Sequence, residues 1–175
     1  MPQEIRELAK EVDAALQRRD LLFFKESAVT LPITCGAKDV PPGIGGPDCQ
    51  YVGQQFDGFP IARMGSEGGT IPLENALALI ERLWSESVPQ ATDQFGSGEA
   101  RVYALGPSAV VLTALIERPQ DFAGAGPLRV SLATHWRQES SGWRFVKLTS
   151  AFVLGKAFLV PEPAALSHLQ GWERF

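Results

Sequence analysis

Val130-Ser-Leu-Ala-Thr-His-Trp-Arg137, Gln138-Glu-Ser-Ser-Gly142 and Trp143-Arg-Phe-Val-Lys-Leu-Thr-Ser150 form the stretch that decides the fold. Two runs with β-branched and aromatic residues in near alternation flank a short polar segment, the signature of an antiparallel hairpin. Upstream, Glu99–Leu105 and Ser108–Glu117 flank Gly106-Pro107 and carry the same strand period. The second of these runs, Ala109-Val-Val-Leu-Thr-Ala-Leu-Ile116, is apolar at consecutive positions and so belongs at the centre of a sheet. A Pro/Gly/Ala-rich loop over 119–127 completes a four-stranded meander. Residues 151–160 extend the last strand or bend at Gly155, and a short terminal helix follows Pro161.

The N-terminal half reads differently. Ile5, Leu8, Ala9, Val12, Ala15 and Leu16 recur at helical spacing and predict an amphipathic helix over 4–19. Leu21-Leu-Phe-Phe24 begins a second short helix or a packed turn. Residues 31–50, rich in proline and glycine, read as a long irregular loop serving as a lid or rim. Asp57-Gly58, between two apolar runs, predicts a tight hairpin turn, and Pro60 places the second of those strands at an edge. Gly65-Ser-Glu-Gly-Gly69 breaks the chain. Thr70 then caps a helix over 73–86, whose Leu73, Ala76, Leu77, Ile80, Leu83 and Trp84 share one face. With no linker or repeat, 1–175 reads as one domain: a core over about 4–153 and an extension over 154–175. The element order gives an α+β domain: helices packed on one face of an antiparallel sheet.

Bulk properties narrow the functions. A net charge of -4 and a pI near 5.2 argue against nucleic acid or an anionic membrane as partner. The N-terminus lacks a secretory apolar core and no apolar run could span a bilayer, so the expectation is a soluble cytoplasmic protein. Cys35 and Cys49 read as free thiols in a reducing cytosol. The alternative is a bridge that closes the Pro/Gly loop and contributes ~3 kcal/mol through chain entropy. No zinc spacing or cofactor fingerprint is present, so neither a metal nor a cofactor is expected. Gly43-Ile-Gly-Gly46 lacks the strand, helix and Lys-Ser/Thr tail of a phosphate loop.

With Gly142-Trp-Arg-Phe-Val146 after the polar turn and Val111-Leu-Thr-Ala114 in the apolar strand, the chain resembles the nuclear transport factor 2-like (cystatin-like cone) superfamily, in particular its polyketide-cyclase-like members. The resemblance covers about 4–153. It implies a curved, mixed, mostly antiparallel sheet with helices on its concave face, enclosing a cone-shaped cavity. The implied uses are isomerase, dehydratase or cyclase chemistry, ligand binding, or dimerisation. Lys147 stands where members of the superfamily often carry histidine, and the 31–50 loop is longer than theirs.

Strict alternation sorts the last hairpin into two faces. Val130, Leu132, Thr134, Trp136, Trp143, Phe145, Lys147 and Thr149 form the more aromatic set, expected to face the helices. His135 falls in the other set with Arg137 and Arg144 and is expected at the surface or a dimer interface. The expected ligand pocket is therefore Thr134, Trp136, Phe145, Lys147 and Thr149, with Tyr103 as a phenol donor. Lys147 could be a base or an anion-binding cation, or simply snorkel to the rim. Asp57 and Glu67 are the carboxylate candidates for acid–base work, Glu67 beside Arg63. Three functions stay open: a homodimeric domain binding a small apolar or anionic molecule, a cofactor-independent isomerase, dehydratase or cyclase, and a dimerisation or interaction module.

Overall fold

The structure, a computed structural model, describes residues 1–43, 45–63, 67–85, 101–118, 128–153 and 173–174, with the side chains of some strand residues, Arg63 and Glu67 among them, left out. Three expectations lie outside the described residues: the loop over 119–127, the bend at Gly155 and the helix after Pro161.

Helix α1 (Gln3–Arg18) forms where the apolar stripe predicts it, and Ile5, Leu8, Val12, Ala15 and Leu16 are its buried residues. The chain reverses at Arg19, which takes a left-handed conformation (φ 56°). Asp20 then caps α2 (Leu21–Ser27), its carboxylate accepting from the Phe23 amide at 3.1 Å. Next come β1 (Leu31–Thr34), β2 (Gln55–Arg63), β3 (Glu67–Pro72) and α3 (Leu73–Ser85). The meander consists of β4 (Arg101–Ala104), β5 (Ala109–Arg118), β6 (Leu128–Glu139) and β7 (Gly142–Val153), and β8 (Glu173–Arg174) follows. Seven strands run in the order β1-β2-β7-β6-β5-β4-β8, with β3 joined to β2. Among the described residues, all pairings between these strands are antiparallel except β2 with β7. The domain is α+β with a mixed, mostly antiparallel, open sheet, and β5 lies inside it as its apolar run requires.

One face of the sheet packs on the helices. Phe59, Ile61, Val110, Leu112, Leu132, Trp136, Phe145 and Leu148 meet Ile5, Val12, Phe24, Ala76 and Ile80 in one apolar cluster. The opposite face is buried as well: Val111, Ala133, Thr113 and Thr149 are each at most 2% exposed.

Several local expectations change in the N-terminal half. Asp57-Gly58 is no turn. Both residues lie inside β2, where Gly58 is partnered by Leu31 on one side and Pro72 on the other. An ideal Cβ at Gly58 would lie 2.5 Å from Thr70 Cγ2 and 2.6 Å from Ile33 Cγ1. Glycine is there because two neighbouring strands approach closely, a use that sequence cannot separate from a turn. Pro60 is not on an edge strand, since β2 is paired on both sides. On the side shared by β1 and β7, Pro60 falls between the two partners, so no ladder bond there needs its missing N–H. Glu67-Gly-Gly69 and Thr70 belong to β3, so Thr70 does not cap α3; the strand runs straight into the helix.

The 31–50 segment also departs from a lid. Its start is β1, and Cys35 and Cys49 are joined in a disulfide with Cα atoms 5.8 Å apart. The free-thiol reading gives way to the bridge.

Candidate functional site

The hairpin turn is Ser140-Ser141, with Glu139 opposite Gly142. Gly142 takes φ 111°, which glycine adopts without strain. From the turn inward, Gln138 pairs with Trp143, Arg137 with Arg144 and Trp136 with Phe145. The register then shifts: His135 pairs with Lys147, Thr134 with Leu148 and Ala133 with Thr149. Val146 is the extra residue of a β-bulge, and beyond it Lys147, Leu148 and Thr149 change face.

The bulge splits the expected pocket. Thr134, Trp136 and Phe145 share the helix face, as expected. Lys147 and Thr149 do not join them; they lie with His135 on the opposite face. Tyr103 pairs with Val111, which pairs with His135, so Tyr103 belongs to that second face too. The reason is energetic. Strict alternation through Phe145-Val-Lys-Leu148 would turn Lys147 into the apolar core and Leu148 out of it. Burying an unpaired ammonium costs several kcal/mol, whereas burying leucine gains roughly 1.5–3 kcal/mol. The bulge lets Phe145 and Leu148 both be fully buried. The signal was present in the sequence as a lysine at an inward position followed by a leucine at an outward one.

On the helix face the aromatic residues pack against one another. Trp136 lies 5.3 Å from Phe145 and 5.7 Å from Phe23 between ring centroids, and Phe145 lies 4.7 Å from Phe59. Thr134 Oγ1 accepts from Trp136 Nε1 at 2.9 Å and donates to the Leu112 carbonyl at 3.5 Å. Trp136, Phe145 and Thr134 are at most 1% exposed, so these three side chains form core.

The opposite face carries the polar grouping. Tyr103, Val111, His135 and Lys147 form one row across β4, β5, β6 and β7. His135 Nε2 is 2.9 Å from Thr149 Oγ1 in the adjoining row, and Thr113 is buried two strands away in that same row. On the turn side the next row holds Arg137 and Arg144. Arg137 pairs with Glu139, and Arg144 Nη2 donates to the Ala28 carbonyl at 3.1 Å. His135 is not at the surface: it is 8% exposed, while Lys147 and Tyr103 are half-buried. One lysine, two arginines, an imidazole and hydroxyls thus share one side of the sheet, a set suited to holding negative charge.

The carboxylate candidates lie elsewhere. Asp57 is exposed opposite Pro32 and lines an open groove of about 310 Å³ with Ile33, Thr34, Gln55 and Phe56. That part of β2 pairs with β1, and β2 meets β7 only through Ile61–Arg63. Glu67 is the ladder partner of Arg63. Among the described residues, no cluster of three or more His, Cys, Asp or Glu could hold a metal ion. No helix among them is long and apolar enough to cross a membrane.

No family model and no curated protein matches this chain. Solved structures do. A nuclear transport factor 2-like protein with a cystatin-like fold from Novosphingobium aromaticivorans is 17% identical, covering 96% of this chain and 87% of that one at a TM-score of 0.39. A nuclear transport factor 2-like protein of unknown function from Shewanella oneidensis is 10% identical, with coverage of 85% and 96% and a TM-score of 0.40. A Kribbella flavida protein is 11% identical, with coverage of 86% and 89% and a TM-score of 0.43.

Proposed function

We propose that this chain is a binding domain for a small anionic molecule, held on the sheet face opposite α1–α3 against Lys147, His135, Thr149 and Tyr103. One observation carries the reading: the Val146 bulge gathers Lys147, His135 and Thr149 on one face, in register with Tyr103. Lys147 supplies a compact positive charge, and the Thr149 hydroxyl and His135 ring supply directional hydrogen bonds. Arg144 adds positive potential in the next row, where the charge of Arg137 is taken up by Glu139. The buried positions of His135 and Thr149 lower the local dielectric, which strengthens each contact to a bound anion. The acid–base enzyme reading is weaker, because Asp57 is exposed where β2 pairs with β1 and so is not grouped with Lys147.

Thermal unfolding tests the proposal, with inorganic phosphate and benzoate as the probes at constant ionic strength. The expected result is that at least one probe raises the melting temperature of the wild-type chain in a saturable way and leaves Lys147→Met unmoved. Equal shifts in both proteins, or no shift with either probe, would refute this site.

A further inference from the structure

The segment between the two cysteines has little to hold it in place. It contains Gly36, Pro41, Pro42, Gly43, Gly45, Gly46 and Pro47, and none of its described residues is buried. Its two ends are: Cys35 is 2% exposed and Cys49 fully buried. Between these anchors the chain lies along the sheet. Pro47 bridges Thr70 in parallel fashion, the Asp48 amide donates to the Thr70 carbonyl at 2.8 Å, and the Thr70 amide donates to the Gly46 carbonyl at 3.2 Å. Gly46–Asp48 thus forms a strap over the side of β3 that β2 does not pair, where exposed backbone groups would otherwise be open to another strand. At the other end, the Cys35 amide donates to the Gln54 carbonyl and the Gly53 amide to the Cys35 carbonyl, at 2.9 and 2.8 Å. The bridge is what ties these two backbone attachments together.

We infer that the Cys35–Cys49 bridge is the native covalent clamp of this strap, and that the protein works in an oxidising compartment in place of the cytoplasm its sequence suggests. Both sulfurs are buried inside the folded chain, so the bond forms during folding and then resists exchange. Closure occurs by thiol–disulfide exchange with a donor protein disulfide. The first thiolate attacks the donor to give a mixed disulfide, and the second displaces it. The two cysteines lose two electrons and two protons, and the donor leaves as a dithiol. Such bonds persist in oxidising compartments and are rare where glutathione and thioredoxin keep thiols reduced.

Two measurements test this. In the first, cells that naturally make the protein are quenched in acid, and the denatured chain is alkylated and its intact mass measured. The expected result is no alkylation before reduction and two groups after it; two groups before reduction would overturn the inference. In the second, amide hydrogen exchange is compared in the bridged and the reduced wild-type chain. Reduction should speed exchange at Asp48 and Thr70 by about a hundredfold, the loop-closure effect expected for a ring of this size, while β6 amides near Trp136 stay protected. Unchanged protection at Asp48 and Thr70 would show that the bridge does not clamp the strap.

Discussion

Replacing Gly58 by alanine tests how β1, β2 and β3 are packed. The added methyl would sit 2.5 Å from Thr70 Cγ2, 2.6 Å from Ile33 Cγ1 and 3.2 Å from the Leu31 carbonyl oxygen. Carbon atoms pack best at about 3.5–4.0 Å, so two contacts are about 1 Å too close. Both neighbours are β-branched side chains with little χ1 freedom, so relief requires the strands to move. Overpacking of this kind costs about 1–3 kcal/mol. The loss of glycine flexibility in the unfolded chain offsets about 0.4–1 kcal/mol. The expected net loss is about 1–2 kcal/mol, read as a lower urea midpoint with an unchanged slope. Thr70→Ser removes the Cγ2 atom responsible for the shorter contact. In the double-mutant cycle with Gly58→Ala it should recover at least about 0.5 kcal/mol of coupling. If Asp57-Gly58 were a hairpin turn, alanine would also destabilise, but Thr70→Ser would not rescue it. Strict additivity in the cycle, or a Gly58→Ala chain as stable as wild type, would refute the packing derived for β2.

Thr134→Val keeps the shape of the side chain but strands the buried Trp136 Nε1–H, which now donates to Thr134 Oγ1; chemical denaturation should show a loss of about 1–3 kcal/mol, with the tryptophan fluorescence of the native state altered. Asp13 provides the pH dependence. Burial pushes its carboxyl above the ordinary 3.8, against the opposing hydrogen bond from Gln17, and its Oδ1 is buried with no hydrogen-bond partner among the described residues. The folded chain therefore holds this proton more tightly than the unfolded one. The resulting stabilisation is complete below pH 3.8 and is lost as pH rises through the folded-state value. Asp13→Asn should accordingly raise the melting temperature at neutral pH, and thermal scans on acidification should show the advantage shrinking.

The two long helices and the meander were legible because their signals are local. The stripe Ile5, Leu8, Val12, Ala15, Leu16 buries one face wherever α1 docks, and the run from Val110 to Leu112 has no polar face to offer water. The glycines and cysteines were not legible in the same way. Gly58 satisfies a turn rule and a close-packing rule equally well, and only the positions of Ile33 and Thr70 choose between them. Cys35 and Cys49 become a bridge because the chain between them returns to the end of β1, which no spacing in the sequence specifies. The 31–50 segment reads as loop because proline and glycine disfavour regular structure. Beyond β1, its ordered path comes from two buried sulfurs, two backbone bonds to Thr70 in β3 and two to Gly53 and Gln54.

The candidate site shows the same division within one hairpin. Sequence alone determined that Val130–Arg137 and Trp143–Ser150 pair about a polar turn, and that Trp136 and Phe145 lie on the helix side together. Period 2 alone misassigned Lys147, because it assumes a ladder without an extra residue. Tertiary structure decided that assignment: the core takes both Phe145 and Leu148, three positions apart, and a strand can supply that only by inserting Val146 as a bulge. Lys147 then leaves the core and joins His135 and Thr149, because burying one more leucine and keeping an ammonium out of an apolar interior outweigh a regular ladder.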